Sequence, residues 1–200
     1  MNESQKGKVI VISGPSGVGK STICRRLCET LPAQFSVSVT TRRPRPGEQH
    51  ERDYSYVSME EFNRLRDAGE LLEWAEVYGH QYGTPLRAVR NATEQGRSIV
   101  LEIDIKGCLQ VREKMPEALK FFILPPNPEE QARRIKTRNT DHDEVIAQRL
   151  AKADGEIRYA NESACYDDFV INDNIDATVV EIRSLIEKKT IAVRNMEQDS

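Results

Sequence analysis

The sequence predicts an α/β fold in which short buried strands alternate with helices, and three features carry that expectation. Residues 9–12 (VIVI), 98–104 (SIVLEID) and 119–124 (LKFFIL) are short, nearly continuous apolar runs. Runs of this kind suit parallel strands covered on both faces. Stretches with helical start and stop signals lie between them. The first run leads straight into Gly14-x-x-x-x-Gly19-Lys20-Ser21, a phosphate-binding loop whose mechanism needs a strand before it and a helix after it.

Each residue type in that loop has a chemical reason. Glycines allow left-handed backbone and let several N–H groups converge on one anion. The helix expected from residue 19 adds the positive end of its dipole. Lys20 supplies a point charge for the β- and γ-phosphates, and the Ser21 hydroxyl is placed to hold Mg²⁺, partly through water. Gly14, Pro15, Ser16, Gly17, Val18, Gly19, Lys20, Ser21 and Thr22 are therefore the candidate cradle for a nucleoside triphosphate.

Composition bounds the rest. The 200 residues, 38% of them hydrophobic, suffice for one compact α/β unit with small inserted lobes. A net charge of −3 argues against a general nucleic-acid binder, which would carry a basic excess. No apolar run approaches the roughly 20 residues of a membrane span. The polar start MNESQKGK is not expected to be a signal peptide. Cys24, Cys28, Cys108 and Cys165 form no CxxC pair and are expected to pack in the fold. His50, His80 and His142 are scattered, which leaves little for a zinc site or a Ser-His-Asp triad. A reducing, cytoplasmic location is expected.

Along the chain, a first helix is expected over 19–31, stopped at Pro32. Residues 35–48 (FSVSVTTRRPRPGE) begin with strand-like alternation and end in a proline-broken loop. Four arginines lie between positions 42 and 52. They could form a solvated basic turn, but beside a nucleotide loop the favoured reading is a second anion site, because guanidinium forks pair with phosphate oxygens. Ser58-Met-Glu-Glu61 reads as a capping box opening a helix that stops at Gly69. Residues 71–77 (LLEWAEV) read as a strand, with Glu73 as the usual solvent-facing residue of an edge. Residues 78–85 (YGHQYGTP) read as a turn-rich segment in which Thr84 caps, and Pro85 begins, a helix ending at Gly96.

Asp104 closes its strand where ligands bind in open α/β sheets, yet a helix-capping aspartate would stand in the same place, and the pattern leaves both readings open. Asn127-Pro128-Glu129-Glu130 starts a helix that carries Arg133 and Arg134 and runs to Arg138. After the polar segment NTDHDE comes Arg149, and exposed helix faces would also account for these arginines. A helical pattern to about Ala164, a strand at 169–172 and a closing helix from Ile175 to Val193 complete the chain.

In content and order these segments resemble the guanylate kinases from residue 8 to about 190. The resemblance rests on GPSGVGKST (14–22), FSVSVTTRRPRPGE (35–48), RDYSYVS (52–58), LLEWAEVYGHQYGT (71–84), LEIDIKG (101–107) and RNTDHDEVIAQRL (138–150). It implies a three-layer α/β/α fold with a parallel core sheet, as one domain. The core would be 1–35, 87–125 and 148–200, with an inserted GMP-binding lobe at 36–86 and a short lid at 126–147. The implied reaction is Mg²⁺-dependent transfer of the ATP γ-phosphoryl group to GMP, and to dGMP, giving ADP and GDP. ATP and GMP would be the partners, with no nucleic acid or membrane, and the resemblance allows a homodimer.

On matching positions, Ser38, Glu73, Thr84 and Asp104 would hold guanine, and Arg42, Arg45, Tyr54 and Tyr82 its phosphate. Arg134, Arg138 and Arg149 would close over the transferring group beside Lys20, and Asn172 would sit near the donor base. Guanine presents N1–H and an exocyclic amine on one edge, both donors, and carboxylates only accept. The chain departs from the family pattern at Glu51 (usually glycine), His80-Gln81, Lys106 (usually glutamine) and Asn139 (usually glycine). An inactive interaction module of the same fold would have a damaged phosphate loop, and this loop keeps Gly14, Gly19, Lys20 and Ser21. A kinase for adenine would not use an acceptor-only pair, and no N-K-x-D motif suggests a small GTPase.

Overall fold

The computed structural model describes residues 6–77, 79–137 and 143–198. In chain order, β1 (Val9–Ser13), buried throughout, is followed by α1 (Lys20–Thr30). Then come β2 (Ala33–Phe35), β3 (Val39–Thr40), β4 (Ser55–Tyr56) and α2 (Met59–Asp67). Ser58 Oγ caps α2 by accepting from Glu61 N at 3.1 Å. β5 (Leu71–Val77), β6 (His80–Pro85), α3 (Leu86–Glu94), β7 (Ser98–Glu102) and α4 (Ile105–Lys114) follow. The chain ends with β8 (Leu119–Leu124), α5 (Pro128–Thr137), α6 (Asp143–Ser163), β9 (Asp168–Ile171) and α7 (Ile175–Gln198). The α/β expectation holds, with parallel core strands and flanking helices.

These elements form two compact units that divide at Val11/Ile12, Leu31/Pro32 and Ala118/Leu119. In the first, β2 runs parallel to β7, Gln34 opposite Ile99. β7 also borders the start of β1, with Ile99 N donating to Lys8 O at 2.8 Å. A second, four-stranded sheet in this unit has the order β4-β3-β6-β5. β6 pairs antiparallel with β3 and with β5. Phe62 of α2 packs with Val39 and Leu71 beneath this sheet, flanked by Val57 and Leu65.

The expectation of a turn-rich segment at 78–85 is corrected here, because residues 80–85 form β6. Its polar residues read as turn chemistry, yet the segment is extended because both neighbours supply ladder partners. Pro85, not Thr84, is the N-cap of α3, and Thr84 faces Glu73 across the ladder.

In the second unit β8 and β9 pair in parallel, Phe121 opposite Asp168. α1 buries Ile23, Cys24 and Leu27 and packs against α7. None of the four cysteines is in a disulfide; burial, then the neighbouring Glu29, pushes Cys28 up to about 11, so it packs as a neutral side chain.

Candidate active site

The loop after β1 is held from three sides within the second unit. Lys20 Nζ donates to the carbonyls of Gly14 (2.6 Å) and Pro15 (2.9 Å). Gln131 of α5, 2% exposed, donates from Nε2 to Ser16 O at 2.8 Å. Asn172, fully buried at the end of β9, donates from Nδ2 to Val18 O at 2.7 Å, and Thr178 Oγ1 donates to its Oδ1 at 3.1 Å. Carbonyls of a turn that gathers anions are thus tied backwards, leaving the N–H side of the loop for a ligand.

Two glycines are required by geometry. Gly17 has φ +84°, and a Cβ there would lie 2.7 Å from Ile135. Gly19, the N-cap of α1, has φ +89°, and a Cβ would meet the Asn172 amide at 2.8 Å. The first turn of α1 carries no carboxylate, so its positive end is not neutralised locally. Ser21 is half-buried in that turn and Thr22 exposed.

Arg133 and Arg134 look alike in sequence but differ in place. Arg133 is 70% exposed and pairs along its own helix with Glu130. Arg134 is 21% exposed and donates from Nε to Glu130 Oε1 (2.7 Å), from Nη1 to Asn172 O (2.8 Å) and from Nη2 to Asp173 O (3.1 Å). Hydrogen bonds from both arginines draw the Glu130 carboxyl down to about 2. Arg138 and Asn139 lie outside the described residues, as does the side chain of Arg149 in α6.

In the first unit, Arg42 stands in an aromatic cage. Nη2 donates to Glu48 Oε1 (2.9 Å), Nε to the Tyr82 hydroxyl (3.2 Å) and Nη1 to Arg43 O (2.7 Å). Its guanidinium lies 5.4 Å from the Tyr54 ring centre, and Tyr54 meets Tyr82 edge to face. Glu48 Oε2 accepts from the Tyr56 hydroxyl and from Arg45 N, both at 2.7 Å. Burial alone would raise the Glu48 carboxyl, but the bonds from Arg45, Tyr56 and Arg42 outweigh it and hold the carboxyl below its ordinary range. Burial, then Glu102, pushes the Tyr54 phenol up, so it stays a neutral donor. Arg42, Tyr54 and Tyr82 are brought together; Arg45 is exposed and joins through its backbone N–H.

Glu51, in the same loop, has φ +65°. Glycine takes that conformation without strain, whereas a glutamate there is strained. Ser55 Oγ donates to Glu51 Oε1 at 2.6 Å and helps to hold the turn.

Glu73 is 4% exposed, against the solvent-facing reading of its strand. A register shift between Leu71 and Glu73 sets the alternation so that Glu73 and Ala75 point inward. Trp74 points outward, its ring 5.4 Å from the Arg66 guanidinium. Thr84 Oγ1, also buried, donates to Glu73 Oε1 at 2.5 Å. Burial pushes the Glu73 carboxyl up to about 7; Thr84 and Lys114 pull it down, and Asp104 adds to the rise. Asp104 caps α4, its Oδ1 accepting from Gly107 N at 2.8 Å, so the cap reading of this residue is realised. Ser38, half-buried between β2 and β3, accepts from Ser55 N. Sequence reasoning did not single out Gln131, Glu48 or Gly107. Only Glu48 left a signal, as an acidic residue inside an arginine-rich loop.

The loop brace has a measurable consequence. Asn172→Ala leaves the Val18 carbonyl without its buried donor, which costs about 1–3 kcal/mol. Urea denaturation should show that loss together with a raised KM for the triphosphate; wild-type values for both would show that the brace is idle.

The guanylate kinase family model matches residues 6–189. The guanylate kinase of Geobacter sulfurreducens is 45% identical over 91% of this chain and 89% of its own. That of Symbiobacterium thermophilum is 47% identical over 98% and 92%. The crystal structure of guanylate kinase from Anaplasma phagocytophilum superposes with a TM-score of 0.76 at 34% identity, covering 92% of this chain and 87% of that one. With a glycine-rich loop braced at Ser16 and Val18, an arginine in a tyrosine cage and a buried carboxylate on a second sheet, the chain belongs to the guanylate kinase family.

Proposed function

We propose that the chain transfers the γ-phosphoryl group of ATP to GMP, and to dGMP, releasing ADP and GDP. The observation that carries the choice of base is the buried Glu73–Thr84 pair. An ionised carboxylate only accepts, and guanine offers two donors on one edge. Burial makes that match selective, since adenine would leave the carboxylate short of a partner.

In this reading Ser38, Thr84 and Asp104 hold guanine beside Glu73. Arg42, Arg45, Tyr54 and Tyr82 receive the GMP phosphate; the Arg42 guanidinium has five donors, enough for Glu48 and a phosphate oxygen together. Residues Gly14–Thr22 hold the ATP phosphates. Lys20, Arg134, Arg138 and Arg149 neutralise charge as a GMP phosphate oxygen bonds to the γ-phosphorus and its bond to the ADP oxygen breaks. Such transfer needs positioning and positive charge rather than a base, which suits a site rich in arginine. Asn172 shapes the triphosphate loop through Val18 and lies on the donor side.

Among the described residues no cluster of His, Cys, Asp or Glu could hold a metal ion by itself. Mg²⁺ would arrive with the phosphates, and the Ser21 hydroxyl would hold it, partly through water. When bound, the ion neutralises the β- and γ-phosphate oxygens. The same reading assigns residues 36–86 to a GMP-binding lobe, 126–147 to a lid, and 1–35, 87–125 and 148–200 to the core. Its soluble substrates suit a cytoplasmic enzyme, and among the described residues no helix is long and apolar enough to cross a membrane.

A coupled ADP-release assay with ATP-Mg²⁺ and each of GMP, dGMP, AMP, CMP and UMP tests the reading. Turnover is expected with GMP and dGMP alone. Comparable turnover of AMP would overturn the base assignment.

A further inference from the structure

We propose that α4 is the positioning cradle for Glu73, and that Gly107, Gln110 and Lys114 set how tightly guanine is held. The proposal deepens the functional reading above and rests on it.

β5 is the outermost strand of its sheet, so its free backbone edge needs partners. α4 supplies them with side chains. Lys114 Nζ donates to Leu72 O at 2.5 Å. Gln110 Nε2 donates to Trp74 O at 2.7 Å, and Gln110 Oε1 accepts from Trp74 N at 3.2 Å. The glutamine amide thus exchanges both bonds with one residue, as a neighbouring strand would. The residues before and after Glu73 are pinned, and Glu73 lies between the pins.

Spacing along the helix makes this one device. Positions 107, 110 and 114 fall on a single helical stripe. A Cβ on Gly107 would run into Glu73 Oε2, so only glycine lets the carboxylate lie against the helix. The N-cap Asp104 fixes Gly107 N in turn. Of the elements around β5, α4 supplies the charges that act on Glu73, with Asp104 raising and Lys114 lowering its proton affinity, and β6 supplies the Thr84 hydrogen bonds. Lys114 therefore has two effects, one on the backbone of β5 and one on the charge of its carboxylate.

Edge protection alone predicts something different. Loss of a pin would then lower stability and affect both substrates alike. Steady-state kinetics with GMP and ATP varied separately, between about pH 5.5 and 8.5, distinguish the two, with wild type, Gly107→Ala, Gln110→Leu, Lys114→Met and Lys114→Arg compared alongside thermal melts. Gln110→Leu and Lys114→Met should lower kcat/KM for GMP by roughly 2- to 12-fold, the range of one ordinary hydrogen bond, and leave the ATP term unchanged. Lys114→Met should also move the acid limb of the GMP profile to higher pH, Lys114→Arg should restore it, and Gln110→Leu should leave it in place.

Gly107→Ala should cost at least about tenfold in the GMP term by displacing the charged acceptor. The better helix propensity of alanine offsets part of that clash, and the thermal melt reads what remains. Equal losses for ATP and GMP, or GMP terms within twofold of wild type in Gly107→Ala, Gln110→Leu and Lys114→Met alike, would overturn the cradle. Absence of GMP turnover in the wild type itself would instead sink the functional reading.

Discussion

Lys20→Ala should reduce kcat by at least about 100-fold while leaving the far-UV circular dichroism of the protein unchanged. The two halves of that expectation come from different observations. Lys20 Nζ donates to the carbonyls of Gly14 and Pro15, at 2.6 and 2.9 Å. These bonds are only part-buried, so water can replace the ammonium at both oxygens and the loop keeps its Gln131 and Asn172 braces. Stability should therefore fall by no more than about 1 kcal/mol. At the bound phosphates no such replacement is available, because charge spreading over the transferring group needs a fixed cation in a site that excludes water. ADP release and circular dichroism measured on the same preparation decide the matter. Activity within tenfold of wild type would remove Lys20 from the machinery.

The parts of the fold that were legible in the sequence are those where local pattern and tertiary demand agree. β8 matches residues 119–124 because LKFFIL is buried on both faces and stopped by two prolines. α2 was legible from its capping serine, and α5 from Asn127, whose Oδ1 accepts from Glu130 N. β6 was not legible. His80, Gln81, Tyr82 and Gly83 carry no strand propensity as a group, and the segment is extended only because β3 and β5 lie on either side.

The candidate site divides along the same line. The phosphate loop is a local motif and could be read whole. What braces it could not, since Gln131 lies 115 positions from Ser16 and Asn172 lies 154 from Val18. Arg133 and Arg134 are chemically identical and sequence-adjacent, so residue chemistry does not separate them; the resemblance picks Arg134, and packing shows it anchored on Asn172 and Asp173 while Arg133 is exposed. For Glu73 the pattern LLEWAEV fits either phase of a strand, and the register shift beside Leu71 selects the inward one.

Glu73→Gln should lower kcat/KM for GMP by roughly 10- to 1000-fold, the range of one or two hydrogen bonds to a charged group, and leave the ATP term nearly unchanged. The substitution keeps the shape, and Thr84 Oγ1 can donate to the new amide oxygen as it does to Glu73 Oε1. What changes is that a donor now faces the donors of guanine, and the acceptor charge is gone. The protein should not be weakened. Glu73 has its carboxyl pushed from 4.5 up to about 7, chiefly by burial. Between those values the folded chain holds a proton that the unfolded chain has lost, so stability falls as pH rises from about 4.5 to about 7 and is level above. Removing the titration should therefore make the variant more stable than wild type at pH 8 by as much as about 3 kcal/mol, with the gain vanishing near pH 4.5.

Guanine binding has the opposite demand, since only the ionised carboxylate accepts both donors. The wild-type GMP term should weaken as pH falls through about 7, and the variant should lack that component. The GMP phosphate titrates near pH 6 in both proteins, so the comparison of the two profiles isolates Glu73. A variant that binds GMP as wild type does, or that loses ATP and GMP terms equally, would take Glu73 out of the guanine site. A variant that gains stability at high pH while losing GMP selectivity would show that the chain keeps a costly buried carboxylate for recognition.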